Sequence, residues 1–323
     1  MTTLITEPND YASKALAIYR SLGSVCLLPE LGARREAVLA KTDILVVRLG
    51  HYLDRPFLDR FRNLKIIASP TTGLNHIDLD YVRRRKIRLI TLRGRTSFLK
   101  DIPSTAEETI ALMLSLVRNI PWAFDDVKKG HWNRDAFRGH QLAGKTLGIV
   151  GFGRLGRLVA RYARALGMAV LATDPALSEN AMARRGVSCV ALKTLLKSAD
   201  VVSLHAALDA KTRGLLGEKD LSLMRPDAYL INTARAELIA EGALLKALEG
   251  RWIAGAATDV LWNEEKGVTH LRRDPLIAYA KTQRNLIIVP HIGGATIEAM
   301  ARTEEFIAEL VKTYVTSRAA HTL

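Results

Sequence analysis

Three polar side chains far apart in the sequence, Arg235, Glu264 and His291, supply a fixed cation, an anion and a group that titrates near neutral pH. Histidine suits proton transfer because its unperturbed pKa is about 6.5, and a neighbouring carboxylate fixes the ring and favours the imidazolium. Arginine can hold a carboxylate with two parallel hydrogen bonds and polarise a carbonyl oxygen. Together these residue types could move a proton to or from the oxygen of a small acid while a hydride leaves or reaches its carbon.

A carrier for that hydride is indicated by the turn formed by Gly151, Gly153 and Gly156, which follows an apolar run at 147–150. In such a turn the first glycine permits a sharp reversal, the second lets backbone approach a pyrophosphate, and the third lets a helix pack closely on a strand. We expect a helix at 157–166, whose start presents free N–H groups to the anion. Glycine-rich turns also occur without any ligand, so the context decides.

The context is a second predicted strand, 168–173, which ends at Asp174, 18 residues after Gly156. An acidic residue at about this distance hydrogen-bonds the ribose hydroxyls of a dinucleotide. Pro175 and Ala176 follow Asp174, so no arginine stands there to pair with a 2′-phosphate, which the carboxylate would repel. This pattern predicts NAD rather than NADP as the cofactor.

The remaining polar residues of interest each follow a predicted strand. Four apolar runs are followed by such residues: 201–204 by His205, 228–231 by Asn232 to Arg235, 253–258 by Asp259, and 286–289 by Pro290 and His291. Singly, a glutamate such as Glu264 is usually a solvated loop charge, and His291 could be an ordinary strand-end histidine. Because the carboxyl ends of parallel strands share one edge of a sheet, we predict a doubly wound nucleotide-binding domain that brings these residues together.

The first hundred residues alternate short apolar runs with helical patterns and predict a smaller parallel α/β domain. The predicted strands are 3–5, 25–28, 44–47, 64–68 and 87–90, with helices at 13–22 and 34–41. Arg48 and the turn at 69–73 follow two of these strands, so both are placed to contact a substrate. An ordinary surface arginine and an ordinary turn would show the same pattern.

Two further helices are predicted. Ser104 and Glu107 have the spacing of a capping box, and the helix that it opens, 105–119, is apolar on nearly every side, so protein must cover it all round. Pro121 is expected to close this helix. An amphipathic helix at 295–314 ends the pattern, with an apolar stripe that serves packing.

The composition, with 48% apolar and 25% charged residues in 323, is that of an ordinary soluble enzyme with room for two domains. The apolar runs are strand-sized, and Glu7 and Asp10 interrupt the N-terminus, so we expect neither a membrane span nor a signal peptide. Cys26 and Cys189 lack metal-ligand spacing. They are expected to be reduced thiols of a cytoplasmic protein without a metal.

A net charge of +14 is a reason to consider nucleic acid as a partner. The basic residues are spread along the whole chain, and the densest run, 83–86, falls at a predicted helix end, where cations complement the helix dipole. Aromatic residues do not interleave with the basic ones, as a stacking platform would require. We therefore expect no nucleic-acid partner, and we interpret the charge as attracting an anionic substrate and cofactor.

Several motifs in one order make the chain resemble the D-isomer-specific 2-hydroxyacid dehydrogenases. The resemblance covers nearly the whole chain and is clearest from 64 to 295. Its motifs lie at 72–78, 105–107, 142–156, 200–205, 231–235, 257–260 and 289–294. So many independent motifs in the family order form a highly specific signal.

By that resemblance, Arg235 binds and polarises the substrate, His291 is the acid/base, and Glu264 is its partner. Asp259 is expected to hold the nicotinamide carboxamide, and Asp174 the adenine ribose. The backbone amides of Thr72 and Gly73 are expected to bind the substrate carboxylate. Arg48, from its position after a predicted strand rather than from the resemblance, is expected to be a third substrate residue. The other residues that we expect to contact NAD are Gly151, Gly153, Arg154, Leu155, Gly156, His205, Thr233, Ala234 and Thr105.

The resemblance also implies an α/β fold with two domains. A Rossmann-type doubly wound NAD-binding domain spans 101–294, and a smaller flavodoxin-like substrate domain is formed by 1–100 and 295–323. The active site is expected in the cleft between them, and closure of the cleft would exclude water. Members are commonly homodimers joined through their cofactor domains, which fits the apolar helix at 105–119.

Three departures from the family pattern stand out. Ala236 follows Arg235 where glycine is usual, no proline follows the Glu264 region, whose continuation to Asp274 is unusually basic, and Thr71 and Thr72 replace smaller residues. None removes a catalytic group, but the last two bear on the choice of substrate.

We thus expect an NAD-dependent enzyme that interconverts a D-2-hydroxy acid and its 2-keto acid, a small anionic substrate. One alternative on the same fold is an NAD-sensing corepressor, which would retain the three polar side chains. Another is a dehydrogenase of a different small anion, such as phosphite. A formate-dehydrogenase-like enzyme is disfavoured, because that group pairs its histidine with glutamine where this chain has Glu264.

Overall fold

Parallel strands form two separate sheets in the computed structural model, which describes residues 1–320. The chain divides into two units. Unit 1 comprises Met1–Ile102, Glu265–Gly267 and the residues from Ala295 onward, and unit 2 comprises Pro103–Glu264 and Val268–Gly294. Each unit contains one sheet with helices packed against it.

The strands are short and mostly buried, as expected when helices cover both faces of a parallel sheet. In chain order they are β1 (Thr2–Ile5), β2 (Ser24–Leu27), β3 (Ile44–Val46), β4 (Ile66–Ser69), β5 (Arg88–Thr91), β6 (Thr146–Val150), β7 (Ala169–Thr173), β8 (Ser188–Cys189), β9 (Val201–Leu204), β10 (Tyr229–Asn232), β11 (Gly255–Thr258) and β12 (Leu286–Ile288).

The helices lie between successive strands, except the last, which follows β12. They are α1 (Ser13–Leu22), α2 (Arg35–Lys41), α3 (Arg55–Asp59), α4 (Leu79–Arg84), α5 (Thr96–Leu99), α6 (Ser104–Val117), α7 (Ile120–Lys128), α8 (Arg154–Ala165), α9 (Glu179–Ala183), α10 (Leu192–Ser198), α11 (Glu218–Leu221), α12 (Ala243–Glu249), α13 (Val268–Leu271), α14 (Pro275–Ala280) and α15 (Ile297–Ala320).

The sheet of unit 1 has the order β2-β1-β3-β4-β5, with all neighbours parallel. This is the flavodoxin-like order, so the predicted fold class is confirmed for this unit. Alternate residues of a strand point to opposite faces: Ile66 and Ala68 join one apolar core, and Ile67 joins the other. The first core also takes in α15, which packs along α1.

The sheet of unit 2 has the order β8-β7-β6-β9-β10-β11-β12, again parallel throughout. Counted within the unit this is 3-2-1-4-5-6 with a seventh strand added, the predicted Rossmann arrangement. The strand order reverses between β6 and β9, and ligands of such sheets bind at the carboxyl ends of the strands beside this reversal. The glycine turn follows β6, and His205 follows β9.

The start of α6 corrects the predicted capping box. Pro103 occupies the position before the helix, and its carbonyl accepts hydrogen bonds from the N–H groups of Ala106 and Glu107. Ser104 is therefore already helical, is buried, and caps nothing. The box pattern failed because the fixed φ of proline starts the helix one residue earlier. Nor is the helix covered all round, since Glu107 and Ala111 are exposed in the single chain.

The sequence predicted that Pro121 closes that helix, and this prediction is wrong. α6 ends at Val117, and Asn119 adopts a left-handed φ of 56°. A new helix, α7, then begins at Ile120 with Pro121 in its first turn. Proline is favoured there because its missing N–H would have had no intrahelical partner.

Two other helices are longer than predicted. α8 begins at Arg154 rather than at 157, because Gly153 is extended and serves as the residue before the helix. α15 runs past 314 to Ala320. Within residues 1–320 no helix is long and apolar enough to cross a membrane. Cys26 and Cys189 are free thiols, and the cytoplasmic location inferred from them stays a prediction.

Candidate active site

The proposed acid/base pair is formed within unit 2, by the loop after β11 and the loop after β12. His291 Nδ1 lies 2.6 Å from Glu264 Oε1. The other carboxylate oxygen of Glu264 accepts the Leu261 N–H at 3.3 Å. With a proton on Nδ1 the ring donates to the carboxylate, and Nε2 is left for a reacting group. Both side chains are about one-fifth exposed, so the pair is reachable from solvent.

The backbone at His291 is in the left-handed region, with a φ of 54°. This conformation is uncommon for a residue with a side chain and persists only where the surrounding structure holds it. Here Pro290 precedes it, and the His291 N–H donates to the carbonyl of Val289 at 3.1 Å. The sharp turn places the imidazole beside Glu264 immediately after the strand ends.

Arg235 is held by a turn that the side chain of Asn232 closes. Asn232 Nδ2 donates to the Arg235 carbonyl at 2.9 Å, and its Oδ1 accepts the Ala234 N–H at 3.1 Å. Desolvation lowers the pKa of Arg235, while the charges of Glu264, Glu237 and Asp259 act to raise it. The guanidinium is thus a partly desolvated cation within the electrostatic reach of the histidine's partner.

Asp259 secures the backbone that follows His291. Its two carboxylate oxygens accept the N–H groups of Ile292, at 2.6 Å, and Gly293, at 2.9 Å. The residue is 2% exposed. Each carboxylate oxygen can accept a further hydrogen bond, such as one from the amide of the nicotinamide carboxamide. That role of Asp259 stays a prediction.

The glycine turn fits a pyrophosphate. Gly151 has a φ of 94°, and a Cβ there would lie 2.5 Å from the Ala206 nitrogen, so packing requires glycine. A Cβ at Gly156 would overlap the Gly151 carbonyl. A Cβ at Gly153, by contrast, would meet no described atom within 4 Å. Gly151 and Gly156 are therefore fixed by close packing, and open space lies over Gly153, the second glycine, where an anion can approach the start of α8.

Asp174 lies beside this turn. Its Oδ2 accepts the Phe152 N–H at 2.8 Å, and its Oδ1 accepts the Ala176 N–H at 2.9 Å. The carboxylate therefore joins the end of β7 to the residue between the first two glycines. This is the expected neighbourhood of an adenine ribose.

His205 contributes a neutral ring at the end of β9. The residue as a whole is partly exposed, but its Nδ1 is buried, and desolvation lowers the pKa of His205 to about 4. Its Nε2 lies 2.9 Å from Ser203 Oγ, and its N–H donates to the Val150 carbonyl at 2.7 Å. The backbone N–H of His205 thus joins the end of β9 to β6 at the point where the strand order reverses, while its ring contacts β9.

The other residues expected to contact NAD have protein neighbours of their own. Thr105 Oγ1 donates to the Gly293 carbonyl at 3.0 Å, and Thr233 Oγ1 lies 2.7 Å from Thr109 Oγ1. Leu155 packs against the apolar core under α8, and burial lowers the pKa of Arg154. Like Ala234, which lies in the turn that Asn232 closes, they all sit within unit 2, and their roles stay predictions.

The predicted substrate residues lie in unit 1. Arg48 forms an ion pair with Glu304, whose side chain is almost fully buried, and its guanidinium lies over the ring of Tyr11. The Arg48 N–H donates to Glu7 Oε2 at 2.7 Å. A bound carboxylate would have to share this guanidinium with Glu304.

The turn that contains Thr72 and Gly73 is braced by Thr71. Thr71 Oγ1 donates to the Gly73 carbonyl at 2.9 Å, and the Leu92 N–H donates to the Thr71 carbonyl at 3.1 Å. Within residues 1–320 the N–H groups of Thr72 and Gly73 have no hydrogen-bond acceptor. They are free to bind an anion, as the resemblance implies.

Sequence reasoning missed two residues of this site. Asn232 was seen only as part of a motif, although an asparagine directly after a strand is a known sign of a side-chain-closed turn. Glu108 was passed over, although a second acid in an otherwise apolar helix is a signal in itself. Its carboxyl group meets Asp259. Within residues 1–320 no cluster of histidine, cysteine or acidic side chains could hold a metal ion.

Residues 110–293 match a protein-family model, that of the NAD-binding domain of D-isomer-specific 2-hydroxyacid dehydrogenases. The chain is 34% identical over 313 residues to a D-3-phosphoglycerate dehydrogenase of Methanocaldococcus jannaschii, covering 96% of this chain and 56% of that protein. It is 36% identical over 288 residues to a glyoxylate reductase of Thermococcus litoralis, covering 87% and 82% respectively.

Among solved structures, the chain is similar to a D-lactate dehydrogenase of Aquifex aeolicus in complex with NAD and lactic acid. The TM-score is 0.81 and the identity 28%, covering 98% of this chain and 96% of that one. The chain spans only about half the length of the phosphoglycerate dehydrogenases that it matches.

Proposed function

The chain belongs to the D-isomer-specific 2-hydroxyacid dehydrogenase family, and we propose that it interconverts a D-2-hydroxy acid and its 2-keto acid with NAD. The observation that carries this proposal is the 2.6 Å contact between His291 and Glu264. It lies at the same edge of the unit 2 sheet as Arg235 and the glycine turn.

Each of the three side chains has a distinct task in the proposed reaction. Arg235 binds the substrate carboxylate and draws electron density from the carbonyl oxygen. His291 gives the proton on Nε2 to that oxygen as the keto acid is reduced, and takes it back in the oxidative direction. Glu264 holds Nδ1, which fixes the ring and stabilises the imidazolium. NAD, when bound, supplies or accepts the hydride.

Unit 1 is proposed to supply an anion-binding site of its own. The free N–H groups of Thr72 and Gly73 support an anion site, and Arg48 supplies a cation that Glu304 partly neutralises. We propose unit 2 as the NAD-binding domain and unit 1 as the substrate domain. We expect the residues that depart from the family pattern, Thr71, Thr72 and the basic segment before Asp274, to determine which side chain the acid carries.

A panel of 2-keto acids with NADH tests this function. We expect at least one, among those reduced by the relatives named above, to cause loss of the nicotinamide absorbance, with the D-hydroxy acid as product. Tight NADH binding without turnover of any keto acid would instead favour the NAD-sensing alternative.

Asp174 is expected to set the preference for NAD. Asp174→Ala should lower the ratio of kcat/KM for NAD to that for NADP by about tenfold, because it removes a ribose acceptor and the charge that repels a 2′-phosphate. Steady-state kinetics with both cofactors measure this ratio. Asp209→Ala is the control, since Asp209 Oδ1 also accepts two backbone N–H groups, those of Lys211 and Thr212. An equal ratio in wild type and Asp174→Ala would show that Asp174 does not face the ribose.

We also propose that the protein forms the homodimer that the family resemblance implies. Ile120, Phe124 and Val127 lie on one face of α7 and are exposed, Phe124 by 63%, and the nearby Trp132 is 90% exposed. Exposed apolar surface of this kind marks an interface. It belongs to unit 2, the proposed cofactor domain.

Phe124→Glu should convert a dimer into monomers at micromolar concentration, because it places a charge in the middle of this apolar face. Sedimentation velocity measures the change. Val268→Glu provides the control, since Val268 is an exposed apolar residue on α13. A wild-type monomer, or a dimer that survives the Phe124 change, would contradict the proposed interface.

A further inference from the structure

Two carboxyl side chains meet beside the backbone that follows His291. Glu108 lies on α6, and Asp259 follows β11. A Cβ built at Gly293 would lie 3.0 Å from Asp259 Oδ2 and closer still to Glu108 Oε2, so the two oxygens converge over one glycine. Both oxygens of Glu108 are buried, and no donor group among the described residues reaches them.

Such a contact requires a proton. Ionised carboxylates only accept hydrogen bonds, so two of them side by side repel each other unless one is protonated. Asp259 already accepts the N–H groups of Ile292 and Gly293, which stabilise its charged form. Glu108 has no such donors, and the proton therefore belongs on Glu108. Desolvation, the Asp259 charge and their hydrogen bond together raise the pKa of Glu108 to about 8.

We propose that Glu108 is a positioning residue for the reaction proposed above: its protonated carboxyl donates to Asp259 and keeps Asp259 bound to the two N–H groups that follow His291. The acid/base histidine is then held from two sides. Glu264 holds its ring, and the Glu108–Asp259 pair holds the two backbone N–H groups directly after it.

The charges around the pair set the direction of its pH dependence. Asp259 is the charged group that acts on Glu108, and Asp259 in turn faces His291 and Arg235. The nearby contact between Thr109 and Thr233 is neutral. Below about pH 8 the pair carries one negative charge, and Arg235 faces it as a fixed cation. Above it the pair carries two, the carboxylates repel, and Asp259 loses its fixed position.

The pH profile of hydroxy-acid oxidation tests this positioning role. In that direction His291 acts as the base, so a fall of the rate at higher pH requires a second group that must keep its proton. We expect kcat in the wild type to fall above pH 8, by about tenfold at about pH 9, because about one molecule in ten then retains the proton. Glu108→Gln should abolish the fall, since its amide stays neutral and still donates to Asp259. Glu107, the exposed neighbour of Glu108, supplies the control. In Glu107→Gln, kcat should fall above pH 8 as it does in the wild type.

Infrared spectroscopy tests the shared proton without turnover or cofactor. The wild-type protein should show a protonated-carboxyl band at pH 7 that disappears with a midpoint near 8. The band should be absent in Glu108→Gln and present in Glu107→Gln. If no hydroxy acid is oxidised, the proposed function fails while the band still decides whether the proton is there.

Either of two results would overturn the inference: an upper pH limb that persists in Glu108→Gln, or a wild-type band that is missing or titrates near the ordinary glutamate range. The wild-type midpoint alone decides the matter if Glu108→Gln fails to fold.

Discussion

Replacing His291 with asparagine should lower kcat for keto-acid reduction by about 100- to 10,000-fold, the usual contribution of a positioned acid/base. Asparagine has no proton to give at neutral pH, and its shorter side chain reaches Glu264 less closely. The Kd of NADH should stay within about twofold, because the glycine turn and Asp174 lie at other strand ends of the sheet. Stopped-flow kinetics at saturating NADH and a fluorescence titration of NADH measure the two quantities.

The chain offers a matched control in His131→Asn. His131 Nδ1 also lies against a carboxylate, 2.9 Å from Asp126 Oδ1, but this pair is on the exposed end of α7. The His131→Asn enzyme should reduce the keto acid at the wild-type rate. Full activity in His291→Asn would exclude the acid/base role, whereas loss of NADH binding would indicate a damaged unit 2 rather than a lost proton donor.

The strands were predictable because both faces of each sheet are covered. A strand buried on two sides is a short run of apolar residues, and such runs stand out between polar loops. Val201–Leu204 matches its predicted strand, ten others shift by one or two residues, and the two-residue strand β8 was not given a predicted range. The helices α3, α5, α7 and α9–α14 were not predicted, because four to nine residues show a helical period poorly.

The acid/base pair was predictable in type but not in geometry. A histidine after one strand and a glutamate after its neighbour must approach each other when the strands are parallel and adjacent, as β11 and β12 are. The left-handed backbone at His291, however, depends on Val289 and on the bonds that Asp259 makes to the next two residues. Sequence gives no sign of such bonds, because they form only once α6 and the sheet have packed.

The basic run at 83–86 shows how local structure explains charge. Arg83 and Arg84 occupy the last turn of α4, where they complement the helix dipole, as the sequence predicted. Arg83 also pairs with Asp80, and Arg85 donates to the carbonyls of Leu58 and Phe61. These arginines therefore close the end of a helix and secure the loop after α3, and neither bond could be read from the run itself.

Arg235→Lys should lower kcat/KM for the keto acid by about 100- to 1,000-fold, the effect of removing one preorganised donor to a developing oxyanion. Lysine keeps the charge but loses the planar fork that binds a carboxylate at two points. The three carboxylates around this position, Glu264, Glu237 and Asp259, would then face a compact ammonium instead of a guanidinium that donates to the Ala234 carbonyl. Both kcat and KM should therefore change, because the fork serves binding and polarisation together.

A control for that change stands at the opposite end of the same strand. Arg225 precedes β10, is exposed, and pairs with Asp227 at 2.8 Å. Like Arg235 in the proposed complex, Arg225 binds a carboxylate at two points, that of Asp227. It lies at the amino end of β10, away from the site, so the Arg225→Lys enzyme should keep a kcat/KM within about twofold of wild type. If Arg235→Lys behaves like Arg225→Lys, the substrate carboxylate is bound elsewhere, and the free N–H groups of Thr72 and Gly73 with Arg48 become the principal anion site.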